Sequence, residues 1–306
     1  MRTHRRIPAG ALFIVVALGC RVGSSVPAGA ATVQAPQTAA SAPVQLPNKD
    51  GSLKFGVLGD FGTGNRNQYE MADQMAKVWE RFKFKFVVTV GDNLYGSQRP
   101  QDFVTKFERP YEALLDNDVK FYASLGNHDA REQRYYKLFN MDGKLYHSFK
   151  APDEDVRFFG LDSGYMNEVQ VEWVEKELKD SNEKWKIVYF HHPVYSSGDR
   201  HGSDRRLRQV LEPLFIKYNV SVVFQGHDHV YERVKPQNGI AYFVVGSGGQ
   251  LRRGNIDQSS GITARGFDTD LAFMAAEVSG DEMYFNAISR PGNVVDSGII
   301  TRRQQP

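Results

Sequence analysis

From Lys49 onward, apolar residues recur in two rhythms: short unbroken runs that fit buried strands, and longer stretches in which they return every three or four positions. Residues 53–59 form a run of the first kind. Residues 67–81 follow the second, with Met71, Met75, Val78 and Trp79 at near-helical spacing and Phe82 just beyond. Further strand-like runs cover 86–90, 119–125, 187–190 and 220–224. Helices are predicted over 169–179, with Trp173, Val174 and Leu178 on one face, and over 205–217. After Arg233 the pattern turns strand-rich, with short runs at 241–245, 271–278, 283–287 and 294–299 separated by Gly, Asp, Ser and Pro. An α/β half followed by a β-rich half predicts two packed sheets with helices outside. No linker interrupts the chain after Asn48, so residues 49–306 are expected to form one domain.

Five of the apolar runs deliver a polar residue at their C-terminal end: Asp60, Asp92, Asn127, His191 and His227. Sheet edges that present such residues together on loops are where α/β proteins hold ligands and metals. Composition narrows the chemistry. A single Cys excludes a disulfide framework and a cysteine-rich zinc module, so a metal site must draw on His, Asp, Asn and Tyr. Lys+Arg 38 against Asp+Glu 36 gives no prior for nucleic acid or a polybasic membrane surface.

The first 48 residues differ from the rest, with Arg2, Arg5, Arg6 and Arg21 and no Asp or Glu; setting them aside leaves 34 basic against 36 acidic residues, a net charge of −2. Basic residues through Arg6, an apolar run at 11–18 and the small residues Ala28-Gly29-Ala30 read as a secretory signal over residues 1–30, followed by a low-complexity linker at 31–48. The run is too short to span a bilayer, so no transmembrane helix is expected. Ala17-Leu18-Gly19-Cys20 also has the form of a lipobox: Cys20 is either the acylated anchor of a periplasmic or surface lipoprotein, or the discarded end of the leader. Both readings stay open.

The chemistry-bearing motifs are Gly59-Asp60-Phe61-Gly62, Gly91-Asp92-Asn93-Leu94-Tyr95, Gly126-Asn127-His128-Asp129, His191-His192-Pro193 and Gly226-His227-Asp228-His229. Taken singly, each fits turn or capping chemistry. Five strand ends acquiring metal-ligand residue types together do not. In order and spacing the set resembles the calcineurin-like metallophosphoesterases, and Tyr95 with the run from Gly226 to Arg233 resembles the purple acid phosphatases of that superfamily, including the tartrate-resistant type. The resemblance spans Phe55 to Arg233.

It implies a four-layer αββα sandwich of two mixed β-sheets flanked by helices, with the strand-rich segment after Arg233 contributing to the second sheet. It implies that Asp60, Tyr95 and His229 bind one metal, that Asn127, His191 and His227 bind another, and that Asp92 bridges them. His191 is preferred to His192 because the family's His stands two residues before Pro. The resemblance also implies an exported acid phosphatase that cleaves phosphate monoesters by attack of a metal-bound hydroxide, with His128 and His201 as proton donors or transition-state stabilisers. Asp60 and Asp92 are hard oxygen donors, the histidines borderline nitrogen donors, and a phenolate from Tyr95 favours Fe(III) in the first site. The second is expected to hold Fe(II), Zn(II) or Mn(II).

Neighbouring residues receive lesser roles. Asp228, between two ligands, is expected to point away; Asp129 to cap a helix near Arg131; Glu232 and Arg233 to fix the histidine loop; Ser196 and Ser197 to hydrogen-bond within their loop. The sequon at Asn219 falls at a predicted buried strand, which argues against its use. Small phosphate esters are the expected partners, nucleic acid is not, and a monomer is expected. Two other classes stand beside this reading: a divalent-metal phosphodiesterase, in which Tyr95 is a bystander, and an exported phosphate- or metal-binding protein without turnover.

Overall fold

The computed structural model describes residues 45–152 and 154–304. Its strands are β1 (Leu53–Leu58), β2 (Phe86–Val90), β3 (Lys120–Ser124), β4 (His147–Lys150), β5 (Val156–Gly160), β6 (Trp185–Tyr189), β7 (Val222–Gln225), β8 (Tyr231–Val234), β9 (Ala241–Val245), β10 (Thr263–Phe267), β11 (Ala272–Ser279), β12 (Glu282–Ser289) and β13 (Val294–Thr301). Six build one sheet in the order β13-β12-β11-β1-β2-β3, and seven build the other in the order β10-β8-β9-β7-β6-β5-β4. Neighbours β1, β2 and β3 run parallel, as do β5, β6, β7 and β9. The remaining pairs are antiparallel.

The strand sequences read as unbroken apolar runs because both faces of each sheet are covered. Side chains alternate across a strand, so Phe55 and Val57 of β1, Phe86 and Val88 of β2, and Ile187 and Tyr189 of β6 meet between the sheets. Aromatic rings interlock there: Phe158 stands edge-on to Phe55 at 5.1 Å and to Phe86 at 5.3 Å. The opposite faces take the helices. Arg66–Phe82 lays Met71, Ala72 and Met75 against Val87 and Phe273 of the first sheet. Glu168–Asp180 and Arg205–Lys217 set Val174, Leu178, Leu211 and Phe215 against Val188 and Val223 of the second. Each helix starts on a side-chain cap from Asn65, Asn167 or Asp204, which satisfies an N–H that the first turn leaves free.

This is the four-layer αββα sandwich expected, with one correction to its assembly. The strand-rich segment after Arg233 divides between the sheets: β9 and β10 join the second, whereas β11, β12 and β13 extend the first by pairing β11 with the free edge of β1. Burying that edge satisfies a full row of backbone groups beside the central strand. The pair β4 and β5 was not read from the sequence. The leader and its Cys20 lie outside the described residues. The end of the linker is not loose: Leu46 packs against the core, and the N–H groups of Asn48 and Lys49 donate to Glu277 of β11 at 2.6 and 2.8 Å. Among the described residues no helix is long and apolar enough to cross a membrane.

Candidate metal centre

Parallel strands point one way, so their C-terminal ends meet along one edge of the sandwich. Asp60 follows β1, Asp92 follows β2, Asn127 follows β3, His191 follows β6, His227 follows β7, and His229 stands just before β8. The exits are sharp. Asp60, Asp92 and His227 have φ of 55°, 51° and 70°, a left-handed conformation that costs a residue with a Cβ about 1–2 kcal/mol and persists where surrounding contacts enforce it. Two glycines leave room for the carboxylates: a Cβ on Gly126 would lie 2.2 Å from Asp92 Oδ1, and one on Gly226 would lie 2.6 Å from Asp60 Oδ2.

The side chains form two adjoining groups. Asp60, Asp92 and His229 bring ligand atoms within 4.8 Å of one another. The Tyr95 hydroxyl lies 3.3 Å from Asp60 Oδ1 and 3.2 Å from His229 Nε2. In the second group, His191 Nε2 is 3.0 Å from Asn127 Oδ1 and 3.1 Å from His227 Nδ1. Asp92 belongs to the first group and also reaches the second, its Oδ1 lying 3.4 Å from His191 Nε2. All seven residues selected from the sequence therefore converge on one edge of the sandwich.

Their electrostatics suit cation binding. Asp60 and Asp92 are 0% and 1% exposed, and among the described residues neither pairs with a lysine or arginine. Burial, reinforced by the charge of Asp92, pushes the Asp60 carboxyl well above its usual range, and burial raises Asp92 as well. The imidazoles move the other way. Burial followed by neighbouring rings holds His191 well below the ordinary value and brings His227 down to about 2; burial with the Arg252 charge brings His229 to about 4. His191 Nδ1 lies 2.9 Å from the Val90 carbonyl oxygen. Donating there leaves a lone pair on Nε2, which faces the Asn127 carbonyl oxygen at 3.0 Å. Two acceptors at that distance call for a cation to share, so the donor set fits a bound metal.

Several neighbours take definite roles. His192 also comes within 4.8 Å of His191 and His227, but its Nδ1 lies 3.0 Å from the Ser163 hydroxyl, which also accepts its backbone N–H. His128 is exposed with its ring 4.8 Å from that of Tyr95, and its N–H donates to Asp92 Oδ1 at 2.9 Å. His201 is exposed, with its ring centroid 4.0 Å from His227. Asp228 points away from the centre and accepts from Ser196 Oγ at 2.6 Å and Gly202 N–H at 3.0 Å, holding the His201 loop. Glu232 accepts the Ser197 N–H in the same loop.

Two expectations are corrected. Arg233 does not fix the histidine loop; it makes a two-pronged pair with Asp296 of β13, tying one sheet to the other. Asp129 caps no helix, since the short 3-10 turn Arg131–Tyr135 starts at Ala130 without a side-chain cap. Its carboxylate instead accepts N–H groups of Asn93, Leu94 and Gly126, joining the loops that carry Asp92, Tyr95 and Asn127. Arg252, whose charge acts on His229, went unread in the sequence. No motif surrounds it.

Purple acid phosphatase 4 of Arabidopsis thaliana is 28% identical over 273 residues, covering 78% of this chain and 80% of its own. Tartrate-resistant acid phosphatase type 5 of Homo sapiens is 26% identical over 302 residues, covering 83% and 93%. In fold, GAP50, described as the anchor in the inner membrane complex of Plasmodium, superposes with a TM-score of 0.70 at 20% identity over 83% of this chain and 90% of its own. That last likeness concerns architecture alone. The family model for calcineurin-like phosphoesterases matches residues 53–231, a stretch that contains every converging side chain from Asp60 to His229, and the chain belongs to that family.

Proposed function

We propose that this protein is an exported acid phosphatase that hydrolyses phosphate monoesters with two metal ions. Asp60, Tyr95 and His229 hold Fe(III), Asn127, His191 and His227 hold Fe(II), Zn(II) or Mn(II), and Asp92 serves both. The observation that carries the reading is the pair of buried carboxylates, Asp60 and Asp92, which among the described residues pair with no lysine or arginine and lie beside imidazole and amide lone pairs that face one another.

Two cations at this place supply Lewis-acid activation of water and neutralise the charge of a phosphate dianion. The chain's own residues hold and orient. The Val90 carbonyl fixes the His191 ring, and the second Asp60 oxygen accepts the His227 N–H at 3.0 Å, locking carboxylate and histidine loop together. His128, exposed beside Tyr95, is placed to give a proton to the leaving oxygen. His201, against His227, is placed to touch the transferred phosphoryl group. No side chain is required as nucleophile. Ser196 and Ser197 are engaged with Asp228 and Thr263. Export rests on the leader alone, and the relatives named for tartrate resistance support little inhibition by tartrate.

The test is metal analysis of purified full-length protein together with phosphate release from phenyl phosphate across pH 4 to 9. Two metal equivalents, and activity that persists under mild acid and is lost on chelation, support the reading. Preference for a phosphodiester with an optimum well above neutral would replace it with a divalent-metal phosphodiesterase. Metal and phosphate binding without turnover would make the protein a binding module.

A further inference from the structure

The segment after β9 folds back across the candidate centre and is fastened on both sides. The Gly248 N–H donates to the Gly59 carbonyl at 2.9 Å, those of Gly249 and Gln250 donate to the Asp60 carbonyl at 3.1 and 3.0 Å, and the Arg252 N–H donates to the His229 carbonyl at 3.0 Å. Three residues on, the Asn255 carbonyl accepts the Asp199 N–H at 2.8 Å and Asn255 Oδ1 accepts the Arg200 N–H at 3.1 Å. Arg252 therefore stands on a rigid bridge between the loops of Asp60 and His229 and the loop of His201.

Among the described residues its guanidinium has no counterion. Among the described residues, the half-buried arginines 131, 157, 233, 290 and 302 pair with carboxylates. Arg134 and Arg208 lie over tyrosine rings, and Arg303 donates to backbone carbonyls. Arg252 does none of these. Its Nε is buried without a hydrogen-bond partner, on a residue whose backbone is bound directly to His229. A cation held partly out of water with no anion is costly, and persists where an anion arrives to meet it.

We propose that Arg252 binds a second anionic group on the substrate, so that the preferred phosphate monoesters carry a further phosphate or a carboxylate on the leaving group. The inference rests on the phosphatase reading above and names its substrate class. The transferred phosphoryl group already meets two cations and two histidines in that reading; the charge of the leaving group is what remains to be held. A planar guanidinium suits either anion by two parallel hydrogen bonds. Arg200 and Arg253, both exposed and on the same two loops, extend the positive field.

Three aryl substrates test this in the metal-loaded full chain: phenyl phosphate, 4-carboxyphenyl phosphate and hydroquinone bisphosphate. Arg252→Met is expected to lower the preference for the charged substrates over phenyl phosphate, as a ratio of kcat/KM, by about tenfold or more, through KM. Arg252→Lys recovers part of it. Loss confined to the bisphosphate or to the carboxylate identifies which anion is bound. An unchanged ratio overturns the proposal, whether all rates fall together or none does.

A second readout does not need turnover. Inorganic pyrophosphate is expected to raise Tm of the wild type, and Arg252→Met to lose more of that rise than of the rise given by inorganic phosphate. Equal losses for the two anions overturn the proposal. A wild type that shows the Arg252-dependent difference yet hydrolyses nothing keeps Arg252 as the site of the second anion and discards the phosphatase reading, and with it the substrate preference.

Discussion

Asp129 and Asn93 stand 36 residues apart in the chain, yet the Asn93 N–H meets Asp129 Oδ2 at 3.0 Å. The same carboxylate takes the N–H of Gly126 at 2.8 Å and of Leu94 at 3.0 Å. One side chain therefore holds the exit of β2 against the exit of β3, and with them Asp92, Tyr95 and Asn127. Burial and the charge of Asp92 raise the Asp129 carboxyl to about 7, so the cations proposed beside Asp92 would relieve part of the cost of ionising it.

Asp129→Ala leaves three backbone N–H groups without their acceptor and takes one acceptor from each of the Asn93 and Gln133 side-chain amides. At about 1 kcal/mol or more for each backbone group, the variant is expected to lose about 3 kcal/mol of stability. Metal content should fall at both positions, since the staple holds donors of both. Asp129→Asn keeps one carbonyl acceptor and should lie between. Denaturant titration and metal analysis check this together; full metal content in Asp129→Ala would show that the loops hold their form without the staple.

His192 and Asn127 compete for the last place in the second group. Ser163 engages His192 through both its ring and its backbone, whereas Asn127 Oδ1 faces the free side of His191. Asn127→Ala is therefore expected to lose the second metal and His192→Ala to keep it. The reverse result in metal analysis would exchange their roles.

What the sequence made legible follows from locality. Asp60, Asp92 and His227 sit directly after apolar runs, so finding the strands finds the residues. Besides the nearby Gly126, Asp129 acts on Asn93 and Leu94, and Arg252 on His229, and nothing beside either in the chain marks these distant partners. The Asp129 motif suggested a helix start because an Asp before a helical stretch is the usual cap; the turn that follows is too short and tight to need one. For β11, Leu271 and the residues after it were visible as a strand, but its pairing with β1, more than two hundred residues earlier, depends on which edge is left free. The β4–β5 pair is short and broken by Pro152, so no run stood out.

Acid should act on stability through His147. The residue is 6% exposed; its Nε2 lies 2.8 Å from the Tyr189 hydroxyl and its Nδ1 has no partner. Burial lowers its pKa to about 4, against about 6.5 in an unfolded chain. The unfolded state therefore binds the extra proton first. The contribution is whole above about pH 6.5 and is lost as pH falls toward 4, on the order of 3 kcal/mol in all. His147→Gln keeps a polar partner for Tyr189 but does not titrate in this window. Denaturant unfolding at pH 7 and pH 4 should show the stability difference shrink by about that amount in the variant. An unchanged difference would assign the acid sensitivity to other groups.

Tyr95→Phe tests the feature that separates purple acid phosphatases from the wider family. Its hydroxyl sits between Asp60 Oδ1 and His229 Nε2, and its ring lies against His128 and edge-on to His229. Burial, then the charges of Asp60 and Asp92, pushes the phenol far above its usual value, so losing that proton requires a strongly polarising cation in the same place. Fe(III) meets that demand better than a divalent ion, and phenolate on ferric iron absorbs visible light. The wild type, purified aerobically with iron supplied, is expected to be violet to pink and the variant colourless. Phe keeps the ring contacts and removes only the oxygen, so the fold should survive. Losing an anionic donor should also weaken iron retention, while hydrolysis falls modestly, because Asp92 and both candidate proton donors remain. The visible spectrum and iron content of the two proteins decide it: a colourless wild type with iron bound makes Tyr95 a packed aromatic and moves the reading toward a divalent-metal phosphodiesterase.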